Sequence, residues 1–308
     1  MISIIVCTHN RAELLSRCLR SLARQTVGKE NYEVIVVDNA STDGTSQVVR
    51  EVLKSEPNFS SCVEVRRGAN YSRNAGARLA QGEYLAFIDD DAFAYDDWIA
   101  TILDFSSRHP EVTAFGGPYD AYSSVPLPDW FPPEYGTLFL GVEERPIRVG
   151  DEWITGTNLI VRKDAFKATG GFHDKLGSVK NGIFYYGEEI RLIVELSRAG
   201  YEIYYVPSIR VRHFIRDEKI NLKHLILTGY QVGRTSSLTV GVKKPIWRHL
   251  AGVFIAVAKG VLAISTCNRT PVKRKTYYAL YPILYELAAL VESVASRTTD
   301  DYGTPKKS

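Results

Sequence analysis

The first ninety residues contain four short segments dominated by apolar and β-branched residues, with helix-like segments between them. Such runs are typical of strands that are buried on both faces of a sheet. Strands that alternate with helices form a mostly parallel sheet with helices on both sides. The four segments are residues 2–7, 33–37, 63–65 and 84–88. The sequence therefore predicts an α/β fold with a Rossmann-like, mostly parallel central sheet.

Polar residues follow three of these segments at the points where the strands are predicted to end. Thr8 follows the first segment, Asp38 the second, and the triplet Asp89, Asp90 and Asp91 the fourth. The carboxyl ends of parallel strands meet at one edge of a sheet, and α/β proteins bind ligands there. We therefore expect a binding site at this edge.

The aspartate triplet is a candidate metal site. Adjacent carboxylates repel one another by up to about 1 kcal/mol per exposed pair, and a bound cation removes that penalty. Hard oxygen ligands suit Mg²⁺ or Mn²⁺, which bridge the phosphates of a nucleoside diphosphate. The alternatives are a solvated acidic loop or a helix N-cap, but the position at a strand end favours the metal.

His213 follows a later predicted strand and has a nitrogen that can join such a site. A lone histidine is more often a surface or core residue, so the pattern leaves both interpretations open.

Glu188 and Glu189 precede a helix predicted over residues 190–199. A carboxylate at a helix N-terminus is favoured by the helix dipole by about 0.3–1 kcal/mol, so capping is one interpretation. A general base that removes a proton from an acceptor hydroxyl is the other. The pattern alone does not choose between them.

Further polar residues lie in loops beside the predicted helices. Asp38 can accept hydrogen bonds from a base or a ribose, or it can cap the next helix. Four other side chains can contact a base or a phosphate, namely Asn10, Arg11, Arg73 and Asn74. Each of these signals is weak when it is taken alone.

Charge and cysteine usage exclude some classes of protein. The net charge of +3 does not favour a nucleic-acid partner. The four cysteines lack metal-site spacing, so we expect free thiols in a reducing compartment. The N-terminus lacks the basic segment of a signal peptide, which predicts a cytoplasmic protein.

Residues 216–308 predict a separate helical region. The apolar stretch 250–264 contains Lys259 and is too short for a secure membrane span. Its basic flanks include Lys243, Lys244, Arg269 and residues 273–275. Two interpretations are open: helices on an anionic membrane surface, at the cytoplasmic face, or a bundle packed on the first domain or between subunits of a homo-oligomer. Membrane docking would suit a lipid-linked acceptor.

The ordered set of motifs resembles family 2 glycosyltransferases, which have the GT-A fold. The likeness spans about residues 2–214, and the order of the segments is more specific than any one of them. The matching segments are residues 3–11, 34–45, 72–78, 82–91, 156–166, 170–174, 186–192 and 198–207. The resemblance implies a GT-A domain over residues 1–215, followed by the helical region 216–308.

The resemblance also implies roles for single residues. The resemblance implies that the donor site contains Thr8, Asn10, Arg11, Asp38, Arg73, Asn74, Asp89 and Asp90. Asp91, the last residue of a DXD-like motif, would bind the metal, together with His213. The acceptor or sugar pocket would contain Trp153 and Asn158. Glu189 stands where many relatives have a catalytic aspartate, and Glu188 is the alternative base.

The activity implied by the resemblance is inverting, metal-dependent sugar transfer with Mn²⁺ or Mg²⁺. The donor would be a nucleoside diphosphate sugar, with a UDP-sugar favoured, and the acceptor a hydroxyl of a glycan or lipid-linked molecule in surface polysaccharide or glycoconjugate synthesis. One alternative is a catalytically silent nucleotide- or glycan-binding protein of the same fold. Another is a nucleotidyltransferase, which typically has a glycine-rich basic loop near its N-terminus, whereas residues 8–17 lack glycine.

Overall fold

The computed structural model describes residues 1–180, 183–240, 245–266 and 270–298. The chain divides into two compact units. The first unit comprises residues 1–123, 133–179 and 188–215, and the second comprises 124–132, 180–187 and the chain from 216 onward. Two segments of the predicted first domain thus belong to the second unit, and the division into domains 1–215 and 216–308 stays a prediction.

Short strands and longer helices follow one another along the chain. The strands are β1 (Ile2–Thr8), β2 (Tyr32–Asp38), β3 (Phe59–Val63), β4 (Tyr84–Asp89), β5 (Ala92–Ala94), β6 (Ala114–Gly116), β7 (Tyr119–Tyr122), β8 (Arg145–Pro146), β9 (Leu159–Arg162), β10 (Ser178–Lys180), β11 (Ile183–Tyr185), β12 (Ile203–Tyr205) and β13 (Val211–Phe214). The α-helices are α1 (Ala12–Ala23), α2 (Thr45–Ser55), α3 (Ala69–Leu79), α4 (Trp98–Arg108), α5 (Lys163–Ala168), α6 (Glu188–Arg198), α7 (Leu222–Val240), α8 (Ile246–Thr266) and α9 (Val272–Thr298). Short 3-10 helices cover Lys29–Asn31 and Asp217–Lys219.

The first unit contains an eight-stranded sheet of order β3-β2-β1-β4-β9-β6-β12-β8. β1 pairs in parallel with β2 and β4, and the register places Thr8 beside Asp38 and Cys7 beside Asp89. β9 runs antiparallel to both β4 and β6. The predicted mostly parallel α/β sheet is confirmed, and the register brings the polar strand ends to one edge.

Alternate residues of β1 enter two different halves of the core. Ile4 and Val6 pack into the half that contains Trp98 of α4, while Ile5 packs into the half that contains Leu192 of α6. All of these side chains are buried. Both faces of the strand are covered, which explains why its sequence is apolar throughout.

One predicted strand differs from the observed one. The third strand was expected at residues 63–65 but covers Phe59–Val63, because Phe59 is buried whereas Val63 and Val65 are exposed. β3 lies at an edge of the sheet, so its outer residues need no apolar cover.

A second, three-stranded sheet has the order β5-β13-β7. β5 begins directly after Asp91, and it pairs antiparallel with β13 so that Ala92 lies beside His213. This pairing brings His213 next to the aspartate triplet, although the two are far apart in sequence.

The second unit contains the predicted C-terminal helices, with α9 in contact with both α7 and α8. None of the helices in the described part of the chain has the length and hydropathy that a membrane crossing requires. The basic residues Lys243, Lys244 and Arg269 lie outside the described residues. Cys7, Cys18 and Cys62 are free thiols as expected, while Cys267 also lies outside the described residues.

Candidate functional site

Asp89, Asp91 and His213 form the candidate metal site. Each offers one ligand atom, and the three atoms all lie within 4.8 Å of one another. Nε2 of His213 lies 3.5 Å from Oδ1 of the buried Asp91. Two carboxylates and an imidazole form a donor set that suits Mn²⁺ and also accommodates Mg²⁺. The geometry therefore fits the predicted ion, and it adds Asp89 to the predicted pair of Asp91 and His213.

Asp90 is paired most closely with Arg11. Nη1 of Arg11 lies 2.6 Å from Oδ1 of Asp90 and 3.4 Å from Oδ2 of Asp91. Burial raises the pKa of Asp90 to about 6, because the Arg11 guanidinium offsets only part of that effect and the Asp91 charge adds to it. Arg11 was predicted to contact a base or a phosphate; here it neutralises the middle carboxylate of the triplet.

The loops after β1 and β2 are strained and joined to each other. In the described chain, Asn10 and Ala40 are the non-glycine residues with positive φ, at 52° and 54°. The backbone N–H of Asn10 donates to Ser41 Oγ at 3.0 Å, and Asn10 Oδ1 accepts from the N–H of Thr42 at 2.7 Å. Such strain persists only where the surroundings enforce it, and it is common at ligand sites.

Asp38 shapes the second of these loops. One carboxylate oxygen accepts from the N–H of Ser41 at 2.9 Å, and the other accepts from the hydroxyl of Ser46 at 2.8 Å. Thr8 is buried beside it at the end of β1. The structure therefore brings Thr8, Asn10 and Asp38 together, as the predicted nucleoside pocket requires.

Asn39 has a structural role that sequence reasoning missed. Its side-chain amide donates to the carbonyls of Glu64 and Arg66, both at 2.7 Å, and its oxygen accepts from the N–H of Gly68 at 2.9 Å. No local pattern in the sequence pairs Asn39 with residues 64–68. A carboxylate lacks the N–H groups for the first two bonds.

Arg73 connects the metal site to the glutamate pair. Its guanidinium lies 2.8 Å from Oδ1 of Asp89 and 2.5 Å from Oε1 of Glu188. The side chain is only 8% exposed and lies over the ring of Phe172. Burial opposes its charge, but Asp89 and Glu188 raise its pKa above the usual range. A Cβ on Gly156 would lie 2.8 Å from Nη2 of Arg73, so a larger residue there would displace the guanidinium from its present position.

Glu188 and Glu189 differ in their surroundings. Glu188 is buried and paired with Arg73, whereas no described residue donates a hydrogen bond to the buried Oε2 of Glu189. The pKa of Glu189 is raised to about 8. Burial is the largest cause, the Glu188 charge acts in the same direction, and Arg73 opposes the shift. A carboxylate with an unsatisfied oxygen and a raised pKa is suited to accept a proton near neutral pH.

Three other predicted residues lie in different environments. Asn74 binds the backbone of Phe172 through both of its side-chain atoms, at 2.8 and 3.0 Å. Asn158 is fully buried, donates to the carbonyls of Pro118 and Ile209, and accepts from Trp98 Nε1. These amides hold loops in place, and the predicted roles of Asn74 in the donor site and Asn158 in the sugar pocket stay predictions. Trp153 is exposed, and its place in the sugar pocket stays a prediction.

Thr157 was not assigned from the sequence, although it lies in the matching segment 156–166. Its hydroxyl donates to Oδ2 of Asp89 at 2.6 Å. Together with Arg73, it provides a hydrogen-bond donor for each carboxylate oxygen of Asp89. A threonine beside a fully buried asparagine has no local signal that distinguishes its role.

The family model described as glycosyl transferase family 2 matches residues 3–170. The chain belongs to glycosyl transferase family 2. A glucosyl-dolichyl phosphate glucuronosyltransferase of Haloferax volcanii is 27% identical over 238 residues, which cover 75% of this chain and 75% of that protein. The succinoglycan biosynthesis protein ExoM of Rhizobium meliloti is 28% identical over 293 residues, covering 92% of this chain and 90% of that protein.

Solved structures of glycosyltransferases share the fold of this transferase. The mannosyltransferase PcManGT from Pyrobaculum calidifontis, solved in complex with GDP-Man and Mn²⁺, has a TM-score of 0.63 at 18% identity over 98% of this chain and 88% of that chain. Residues 1–349 of S. aureus TarS, solved with UDP, have a TM-score of 0.55 at 17% identity, and the match covers 97% of this chain and 92% of that chain. The predicted GT-A fold is confirmed.

Replacing Arg73 by methionine should destabilise the transferase strongly. The change leaves the buried Glu188 carboxylate, and in part Asp89, without a compensating charge. We expect the free energy of unfolding to fall by about 3–5 kcal/mol, as for other broken buried ion pairs. Urea denaturation in metal-free buffer measures this change. The matched control is Arg66→Met, which removes a mostly exposed arginine paired with Glu64 and should have a much smaller effect. Equal losses in the two variants would contradict the assigned role of Arg73.

Proposed function

We propose that this family 2 glycosyltransferase moves a sugar from a nucleoside diphosphate donor to a hydroxyl of a glycan or lipid-linked acceptor, with inversion at the anomeric carbon. The observation that carries the proposal is the connection of two sites by one residue. Arg73 binds a carboxylate of the Asp89, Asp91 and His213 cluster at one end and the Glu188–Glu189 pair at the other. A donor held at the cluster therefore has its anomeric carbon near a carboxylate that can take up a proton.

Asp89, Asp91 and His213 would hold the divalent ion, Mn²⁺ or Mg²⁺. When bound, the ion supplies positive charge that stabilises the leaving diphosphate. The protein's own part is to set the ligand positions: β13 supplies the imidazole, and Thr157 and Arg73 orient the carboxylate of Asp89. Second-layer hydrogen bonds of this kind tune metal sites. The Mn²⁺ complex of PcManGT supports this proposal.

The nucleoside would lie in the pocket formed by the loops after β1 and β2, lined by Thr8, Asn10 and Asp38. These loops are held in one conformation by their mutual hydrogen bonds, so little ordering is needed when the donor binds. We take a UDP-sugar as the donor, in agreement with the UDP and UDP-GlcNAc complexes of TarS. The names of the two relatives, one acting on a dolichyl phosphate and one in succinoglycan biosynthesis, support an acceptor of the glycan or lipid-linked class.

Glu189 would act as the general base. It removes the proton from the acceptor hydroxyl while that oxygen attacks the anomeric carbon and the nucleoside diphosphate leaves from the opposite side. A single displacement of this kind inverts the configuration and needs one base. General base catalysis contributes about 10²–10⁴-fold to such rates.

Replacing Glu189 by glutamine should reduce sugar transfer by at least about 10²-fold, because the amide cannot accept the proton. Binding of the donor should survive, since Glu189 belongs neither to the metal cluster nor to the proposed nucleoside pocket. Screening UDP- and GDP-sugars by thermal shift identifies the donor, and release of the nucleoside diphosphate then measures turnover. Wild-type turnover in this variant would refute the base assignment. Release of pyrophosphate instead would indicate a nucleotidyltransferase.

The pH profile distinguishes Glu189 from Glu188. The pKa of Glu189 is about 8, so kcat/KM should rise with pH as Glu189 loses its proton and should level off above about pH 8. Glu188→Gln removes a charge that raises the pKa of Glu189, and it leaves Arg73 paired with Asp89, one carboxylate partner fewer than before. We therefore expect an active variant with its rising limb at lower pH. Complete loss of activity, as in Glu189→Gln, would favour Glu188 as the base.

The ion should be detectable without a donor. We expect Mn²⁺ to raise the unfolding temperature of the wild-type protein, because a ligand that binds only the folded state stabilises it by mass action. Asp91→Asn should abolish most of this rise. Asp104→Asn, which changes an aspartate on the surface of α4, is the matched control and should retain it. A full Mn²⁺ effect in Asp91→Asn would exclude the proposed ligand set.

We also propose that α8 binds an anionic membrane surface, at the cytoplasmic face. Trp247, Leu250, Phe254 and Val261 follow helical spacing, and each is at least half exposed. Buried positions in the same helix are small or polar, namely Ala256, Gly260 and His249. The cations Arg248 and Lys259 flank the apolar surface and favour anionic lipids over a second copy of the chain.

Vesicle binding tests this surface. The wild-type protein should sediment with vesicles that contain phosphatidylglycerol, and Phe254→Glu with Val261→Glu should weaken partitioning at least about tenfold by placing charge in the apolar layer. Val142→Glu, at an exposed valine of the first unit, is the control and should bind like the wild type. If the wild type ignores vesicles and the double variant instead dissociates a dimer in analytical ultracentrifugation, the surface is a subunit interface.

A further inference from the structure

A cavity of about 820 Å³ lies in the first unit. Its lining includes five arginines, namely Arg17, Arg20, Arg24, Arg210 and Arg212. We call it the arginine groove. Arg212 and His213 are neighbours on β13, and adjacent side chains leave opposite faces of a strand. The groove is therefore separate from the candidate metal site, and the proposed transfer reaction does not use it.

The positive charge of the groove is largely uncompensated. Among the residues that the structure describes, no carboxylate lies within 4.0 Å of Arg17, Arg20, Arg210 or Arg212, whereas Arg24 lies 3.8 Å from Asp96. The acidic lining residues, Asp96 and its neighbour Asp97, are both exposed. Arg20, Arg24, Arg210 and Arg212 are exposed and hydrated, but five guanidinium groups around two carboxylates leave a positive field in the groove, and such a field attracts an anionic ligand.

Aromatic rings hold these guanidinium groups in fixed positions. Arg210 and Arg212 lie over the same ring, 4.6 and 4.9 Å from the centroid of Tyr95. Nε of Arg212 also donates to the hydroxyl of Tyr95 at 3.2 Å. Two like charges that share one ring repel each other, and an anion between them would remove that repulsion.

Arg17 also has aromatic partners in the lining. It lies 4.9 Å from the centroid of the Phe93 ring and donates to the hydroxyl of Tyr122 at 3.0 Å. Three of the five guanidinium groups are thus already oriented by aromatic residues of the groove. Such preorganisation lowers the cost of binding a ligand of defined shape.

We propose that the arginine groove binds an acidic saccharide, a sugar chain that carries carboxylate or phosphate groups. The planar guanidinium fork binds both groups in a bidentate manner, and the groove lining contains no lysine. The cavity volume lies within the range of small-ligand sites, about 300–1,000 Å³. None of the large apolar side chains that are exposed in the described chain lines the groove, so it lacks the inserting residues of a membrane-binding surface.

Direct binding measurements test the proposal without the transfer reaction. The probes are a galacturonate hexamer, a phosphorylated dextran fragment of similar length, and the neutral maltohexaose. Titrations are made with EDTA and without donor, so that neither the candidate metal site nor catalysis contributes, at about 0.15 M salt to limit long-range attraction. We expect one or both acidic probes to bind, the better one identifying the preferred anion, and the neutral probe not to bind. Failure of both acidic probes would overturn the proposal and leave the proposed transferase activity untouched.

Variants locate the binding. Arg210→Gln with Arg212→Gln should weaken binding of the acidic probe at least about tenfold, while thermal denaturation verifies that the variant folds. The control is Arg50→Gln with Arg67→Gln, which removes the same charge from two exposed positions outside the groove. If both double variants bind the acidic probe equally weakly, the probe is attracted only by the net charge of the protein, and the proposal is wrong.

Two further arms complete the test. Arg210→Lys with Arg212→Lys keeps the charges but loses the planar guanidinium groups, so we expect the acidic probe to bind more weakly than to the wild type. Undiminished affinity would overturn the bidentate geometry.

Sedimentation with phosphatidylglycerol vesicles tests whether lipid headgroups are the source of the anions. Vesicle binding that depends on Arg210 and Arg212, without saccharide binding, would identify the groove as a membrane contact instead.

Discussion

The buried guanidinium of Arg73 is the interaction on which the candidate site depends. It joins a carboxylate at the end of β4 to a carboxylate at the start of α6. Without it, two negative groups would lie beside each other in a region of low dielectric constant, which is costly. The glycine at 156 leaves room for it, and the ring of Phe172 covers it. The relative positions of the metal cluster and the candidate base follow from this one side chain.

Several features of the fold and the site could be predicted from the sequence because their causes are local. The apolar run of β1 must be buried on both faces, and a parallel sheet gathers its strand ends at one edge. The aspartate triplet therefore lies where expected, with His213 close to it. The place of His213 came from the order of the motifs, since nothing in its immediate neighbours indicates a ligand.

Other features could not be predicted, because they depend on contacts between distant segments. Arg73 and Glu188 are 115 residues apart, and no local pattern pairs them. The amide of Asn158 binds backbone carbonyls of residues that are 40 and 51 positions away along the chain. Thr157, next to it, donates its hydroxyl to Asp89. The local sequence does not distinguish the partners of these two adjacent residues.

The separation of the cluster along the chain has a consequence for biosynthesis. Asp89 and Asp91 leave the ribosome long before His213, and the helix with both glutamates also comes late. A nascent chain that ends shortly after β4 already contains the loops of the proposed nucleoside pocket and the arginines that pair with Asp89 and Asp90. It still lacks Thr157, the glutamate pair and the imidazole of His213. The proposed metal site and base are therefore complete only after the chain has been synthesised as far as β13.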